Sequence, residues 1–298
     1  MRPPPGLLRD RRCCSILDRI NDYSRGEDGM DRRQLLQGSA LLAFATQVTG
    51  ASAQAPSPEK KTYVLVPGAF WGAWVWRKVE PKLQSAGHRV VSVTNTGLGE
   101  RSHLLSREVN LDTFVKDVVG VFTYNDITNA VLVGHSFAGV TITAVADAIP
   151  ERIRHLVYLD AIVLEPGKSA FDYSAPEARA RSQKAAQDSS GGITIPPNPP
   201  EATKKNLGLT DDEDVRLISS HATPHPIATF ESPLLLKNQF GHGLPKTYIA
   251  CTNPALPAIE GSKKRVKEQQ GWNWKEIASG HAPMITHPDE LLAILLAL

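Results

Sequence analysis

The chain has 298 residues, 41% of them hydrophobic and 21% charged, with a formal net charge of +2. Such a composition excludes a disordered or collagen-like chain and is long enough for one large α/β core. The charge is too small for a nucleic-acid footprint, and much of the basic excess lies in the first 33 residues.

The first 55 residues read as a targeting segment. Asp31-Arg32-Arg33-Gln34-Leu35-Leu36 is followed by an apolar run over 38–48 and then by Ala51-Ser52-Ala53-Gln54-Ala55. Paired arginines, a short apolar stretch and small residues ahead of a cleavage point make a twin-arginine-type export signal, cut after Ala53 or Ala55. The apolar run is well short of the ~18–20 residues that span a bilayer, so no stable membrane anchor is expected. Residues 1–29, with their prolines and Cys13-Cys14, are awkward ahead of such a signal, which points to Met30 as the true start. The expected location is periplasmic or secreted. Cys251 is then left alone in the mature chain, a small buried hydrophobe closing a strand pattern.

From Lys60 the signals alternate between strand and helix, as a parallel sheet covered on both faces requires. A first strand over 62–66 runs into Val66-Pro67-Gly68-Ala69-Phe70-Trp71-Gly72-Ala73-Trp74. Gly68 permits a tight turn there, so the Ala69 N–H is one expected donor to an oxyanion. A helix is expected over 73–86, a strand over 89–93 and a helix over 111–124. A strand over 130–133 then meets Gly134-His135-Ser136-Phe137-Ala138-Gly139 and a helix over 137–149. Small residues two before and two after Ser136 let strand and helix approach closely, and the serine hydroxyl projects over the sheet edge. The Phe137 N–H, at a helix N-terminus that favours negative charge, is the second expected oxyanion donor.

The next strand, 153–159, ends in Asp160. A carboxylate closing an apolar strand at that edge is costly without a partner, so Asp160 is the expected acid of a Ser-His-acid relay. Residues 166–236 are rich in Ala, Ser, Pro and charge and predict a helical cap inserted between strands. After a strand over 247–251 the chain offers Asn253 rather than an acid, and Glu260 can reach in only from the helix over 259–270. A strand over 274–277 leads into Ser279-Gly280-His281-Ala282-Pro283, and a helix over 288–298 follows. Of nine histidines, His281 stands apart in a loop after the last strand and is the expected base for Ser136. His135 points the wrong way from its turn, His88 and His155 enter strands, and His221, His225 and His242 belong to the cap or its return.

These residues carry a resemblance. The loop Pro67-Gly68-Ala69 with Gly72-Ala73-Trp74, the Gly-His-Ser-Phe-Ala-Gly turn, Tyr158-Leu159-Asp160-Ala161 and Gly280-His281 resemble the α/β-hydrolase superfamily. Within it the chain is similar to the branch of plant methyl esterases, hydroxynitrile lyases and pyrethroid-type carboxylesterases, over about residues 61–298. The resemblance implies an α/β-hydrolase fold, with a mostly parallel six-stranded sheet flanked by helices and a cap insertion. It also implies a serine esterase acting on a small apolar ester through Ser136, His281 and an acid, with no metal or organic cofactor. Members of the branch commonly carry the acid after the strand that ends here at Cys251, and Asn253 in that place supports Asp160. Its lyases carry a lysine directly after the histidine and a threonine in the oxyanion loop. Here those positions are Ala282 and Gly68, which favours hydrolysis. A dehalogenase requires an aspartate in place of Ser136. An amidase, carbamate hydrolase or lactonase uses the same constellation, and a non-catalytic small-ligand binding protein is the alternative of another class.

Overall fold

The computed structural model describes residues 59–298, so the export signal, Cys13-Cys14 and Met30 lie outside the described residues. The elements begin with β1 (Thr62–Val66), α1 (Glu80–Ser85), β2 (Arg89–Ser92), α2 (Leu111–Tyr124), β3 (Ala130–His135), α3 (Ala138–Ala148) and β4 (Ile153–Leu159). The cap then supplies α4 (Pro176–Ser190), β5 (Thr194–Ile195), α5 (Pro200–Leu207), α6 (Asp212–His221), β6 (His225–Pro226) and α7 (Ala228–Glu231). The chain returns through β7 (Lys246–Cys251), α8 (Pro257–Lys267), β8 (Trp272–Ile277), α9 (Pro283–Thr286) and α10 (Pro288–Leu296). No helix among the described residues is long and apolar enough to cross a membrane.

The six-stranded sheet runs β2-β1-β3-β4-β7-β8, and every neighbouring pair is parallel. Register places Val66 beside Gly134, His135 beside Leu159, Leu159 beside Ile249 and Cys251 beside Ile277. The loops after β1, β3, β4, β7 and β8 therefore gather along one edge, which is where a parallel sheet assembles a site.

Alternate residues of each strand enter opposite cores, because successive side chains point to opposite faces. Tyr63, Leu65, Val131, Val133, Val157 and Leu159 face Val79, just ahead of α1, Leu83 of α1, and Leu291 and Leu295 of α10. Val64, Val66, Leu132, Leu156 and Tyr158 face Val118 and Phe122 of α2, Ile142 and Val145 of α3, and Val266 of α8. The boundaries of α2 match expectation because its signals agree. Leu111, Phe114, Val118 and Phe122 fall on one buried face, and Asn110 and Thr113 form a reciprocal capping box.

The single helix expected over 73–86 is instead a 3-10 turn, Ala73–Trp76, followed by the short α1. Pro81 has no N–H for the Arg77 carbonyl and its ring crowds that carbonyl, so a continuous helix is broken there. The cap is helical as expected, but it also holds a two-stranded antiparallel ribbon, β5 with β6, that two-residue strands leave no periodicity to announce. Phe171, Ala186, Ile195 and Ile227 form its small core, against which Phe70 and Phe230 pack.

Close approach fixes where Ser136 can sit. A Cβ on Gly134 would stand 2.8 Å from the Ala138 carbonyl oxygen, and one on Gly139 would stand 2.3 Å from the Ile162 carbonyl oxygen. The second contact joins the start of α3 to the segment just past Asp160. Gly139→Ala is expected to destabilise the fold by about 1–3 kcal/mol through that overpacking. Urea unfolding measures it, and a midpoint equal to that of the unsubstituted protein would contradict the packing described.

Candidate active site

Ser136 follows β3 directly and takes φ 54°, a left-handed conformation costly for a residue with a Cβ. Its surroundings compensate. The Ser136 N–H donates to the Leu159 carbonyl at 3.1 Å, and the Ser136 carbonyl accepts from Gly139 N–H at 3.1 Å and Ile162 N–H at 2.9 Å. The turn is thus tied to α3 and to the loop after β4.

Three expected residues come together across strand ends. The Ser136 Oγ lies 2.9 Å from His281 Nε2, and His281 Nδ1 lies 2.7 Å from Asp160 Oδ2. An ionised carboxylate only accepts, so Nδ1–H donates to Asp160 and Nε2 is left to accept the serine O–H. His281 is 5% exposed and Asp160 is fully buried. The Asp160 N–H donates to the Ile249 carbonyl at 2.7 Å, and its Oδ1 accepts from Cys251 N–H at 3.0 Å. Burial pushes the Asp160 carboxyl up, but the bond and charge of His281, Lys263 and the Cys251 N–H outweigh it and hold it below the usual value.

Glu260, the other acid weighed from sequence, pairs with Lys263 at 2.8 Å and its side chain is 54% exposed. It makes no bond to His281. Asn253 contributes its backbone, donating to the Ser279 carbonyl at 3.0 Å and so bracing the loop that carries His281. The same loop is pressed by the cap, since a Cβ on Gly280 would stand 2.0 Å from the Leu207 carbonyl oxygen. Burial raises the Cys251 thiol well above its ordinary range, with the Asp160 charge adding to it, which suits an inert core residue.

His135 makes its hydrogen bond away from Ser136. Its Nε2–H donates to the His281 carbonyl at 2.8 Å, and its ring stacks on Trp71 with centroids 5.2 Å apart. Burial, and then the nearby His281, bring His135 down to about 3, so the ring is neutral. It supports the His281 backbone and does not act on the serine proton.

The first loop meets the turn closely. A Cβ on Gly68 would stand 2.8 Å from Ser136 Cβ, so only glycine lets this loop lie on the serine. The Ala69 and Phe137 N–H groups have no acceptor among the described residues, and both residues line the cavity above Ser136. Next to Ala69, Phe70 sits at φ 70° and is held from both sides by the cap. Its N–H donates to His225 Nδ1 at 3.1 Å, and its carbonyl accepts the Thr223 N–H at 2.9 Å. Fully buried His225 passes its Nε2–H to Thr229 Oγ1 at 2.8 Å, and burial brings it down to about 3, so its Nδ1 is free to accept.

The cavity has a volume of about 300 Å³ and opens on Ser136 and His281. Phe70, Trp71, Phe137, Ile162, Phe230 and Leu256 give it apolar walls, and Asn198, Thr203 and Asn206 add polar groups from the cap. Among the described residues no Lys, Arg, Asp or Glu lines it.

The Alpha/beta hydrolase family model matches residues 63–294. The chain belongs to this family. This alpha/beta hydrolase is 35% identical over 244 residues to a carbendazim hydrolyzing esterase of Nocardioides sp. (strain SG-4G), covering 79% of this chain and 98% of that one. It is 26% identical over 253 residues to methyl jasmonate esterase 1 of Vitis vinifera, covering 79% and 95%. Its fold is similar to that of an extracellular alpha/beta-hydrolase from a Paenibacillus species, with a TM-score of 0.70, 24% identity and coverage of 80% and 98%.

Sequence reasoning missed two participants. Lys263 carries one signal: Ile259, Lys263 and Val266 fall at i, i+4 and i+7, so the lysine occupies the apolar stripe of α8. His225 carries none, because Thr229 four residues on is an ordinary local partner and Phe70, which its Nδ1 holds, lies in a distant loop.

Proposed function

We propose that this alpha/beta hydrolase is a carboxylesterase-like serine hydrolase that cleaves small, neutral, largely apolar esters through an acyl-enzyme. The observation that carries this reading is the continuous relay Asp160–His281–Ser136 opening into an apolar cavity without charged walls. The Ser136 oxygen attacks the ester carbonyl carbon while its proton passes to His281 Nε2, and the imidazolium is stabilised by Asp160. The Ala69 and Phe137 N–H groups hold the tetrahedral oxyanion, each donor contributing about 3–4 kcal/mol. The carbon–alkoxy bond then breaks as His281 returns the proton to the leaving alcohol. Water, deprotonated by the same histidine, attacks the acyl carbon and releases the acid and free Ser136.

Charge in the substrate is the discriminating variable, since a buried charge without a partner is costly. Neutral p-nitrophenyl butyrate is expected to exceed the p-nitrophenyl monoester of succinic acid by at least ~100-fold in kcat/KM. Equal rates would remove the neutral-substrate reading. Carbendazim belongs in the same panel because of the 35% likeness to an esterase that hydrolyses it. Export by the twin-arginine route is part of the proposal and rests on Arg32-Arg33 and the residues after them. N-terminal sequencing of the exported protein is expected to begin at Gln54 or Pro56, and an intact Arg32-Arg33 segment there would refute it.

A further inference from the structure

The acid has a second partner that the relay does not use. Lys263 projects inward from α8 between Ile259 and Val266, and its side chain is only 8% exposed. Its ammonium lies 3.1 Å from Asp160 Oδ1, bonds the Cys251 carbonyl, and lies 2.8 Å from Glu260 Oε1. An ammonium has three donors, and these are three acceptors. Its neighbours on α8, Lys264 and Lys267, extend into solvent.

The two Asp160 oxygens are thereby divided. Oδ2 accepts from His281, while Oδ1 takes Lys263 and the Cys251 N–H. We propose that Lys263 is a positioning residue for the acid, holding Asp160 ionised and oriented through its far oxygen so that the near one is kept for His281. The proposal rests on the serine-hydrolase reading above.

Asp160 is faced from every side by groups that cannot replace this cation. Beneath it β7 brings the Cys251 thiol and the Tyr248 hydroxyl, which donates to the Ala161 carbonyl at 2.9 Å. His281 and, behind it, His135 of β3 stand on the near side, and Glu260 of α8 is itself an acid. Lys263 is the one lysine or arginine paired with Asp160 among the described residues.

The consequence is a pH signature. The reactive site has Asp160 ionised and His281 neutral. A fixed positive charge on Oδ1 favours the ionised Asp160 carboxylate over its protonated form. Removing the charge lets the relay take up its proton at higher pH.

The test is the rate of phosphonylation by an alkyl fluorophosphonate across the acid and neutral range. It compares the unsubstituted full chain with Lys263→Gln, Lys263→Arg and Ser136→Ala. Lys263→Gln keeps donors without charge and is expected to move the midpoint of the acid limb up by about one pH unit. Lys263→Arg is expected to restore it. An acid limb unmoved in Lys263→Gln overturns the proposal, even where the plateau rate falls, because packing alone accounts for that. If Lys263→Gln does not fold, the double variant Asp160→Asn/Lys263→Met decides. Recovery of folding supports the coupled pair, since both charges are gone, and continued unfolding overturns it. Labelling of Ser136→Ala at the unsubstituted rate overturns the serine reading itself, and this proposal with it.

Discussion

Asp160→Asn is expected to lower kcat by about 10⁴-fold while Glu260→Gln stays within a few-fold of the unsubstituted enzyme. The amide turns an acceptor into a possible donor at His281 Nδ1. An imidazole that accepts there carries its hydrogen on Nε2, the nitrogen 2.9 Å from the serine hydroxyl, and has no lone pair to take the serine proton. The exchange also leaves the buried Lys263 ammonium facing a neutral group. Glu260 has no such position, since it is half-exposed and bonded to Lys263. Steady-state kinetics on both variants, beside their thermal melts, measures the contrast. The reverse order of losses would move the acid to α8.

Ser136→Ala is expected to remove at least ~10⁴-fold of turnover with little effect on binding of the intact ester. The hydroxyl is the one group that can form the acyl bond. The cavity walls from Phe70, Trp71, Phe137 and Phe230 do not depend on it. Calorimetric binding of an uncleaved ester to the variant, with product formation followed separately, divides the two. Turnover unchanged by the substitution leaves the fold as a scaffold for some other chemistry. Binding without turnover in the unsubstituted protein makes it a receptor-like member of the family.

The sheet and the meeting of Ser136, Asp160 and His281 were legible because each signal is local and repeated. An apolar run ends, a small or polar residue follows, and parallel register brings those ends to one edge. The break at Pro81 was legible in principle, since proline inside a helical pattern is a known stop, and the helix expected over 73–86 ran through it. Lys263 was hidden by its surroundings. Lys263, Lys264, Arg265 and Lys267 give this part of α8 a basic composition, and the stripe it shares with Ile259 and Val266 does not reveal the buried Asp160 that Lys263 meets. His225 was hidden for a different reason. Its role depends on a left-handed Phe70 in a distant loop, and no pattern along the cap specifies that meeting.

The most direct test is to treat the folded protein with an alkyl fluorophosphonate and map the adduct by mass spectrometry of its peptides. A single phosphonyl group on the peptide containing Ser136, with turnover of p-nitrophenyl butyrate lost in step with labelling, is the result predicted. Full turnover in protein labelled at Ser136, or hydrolysis with no adduct at that residue, contradicts it.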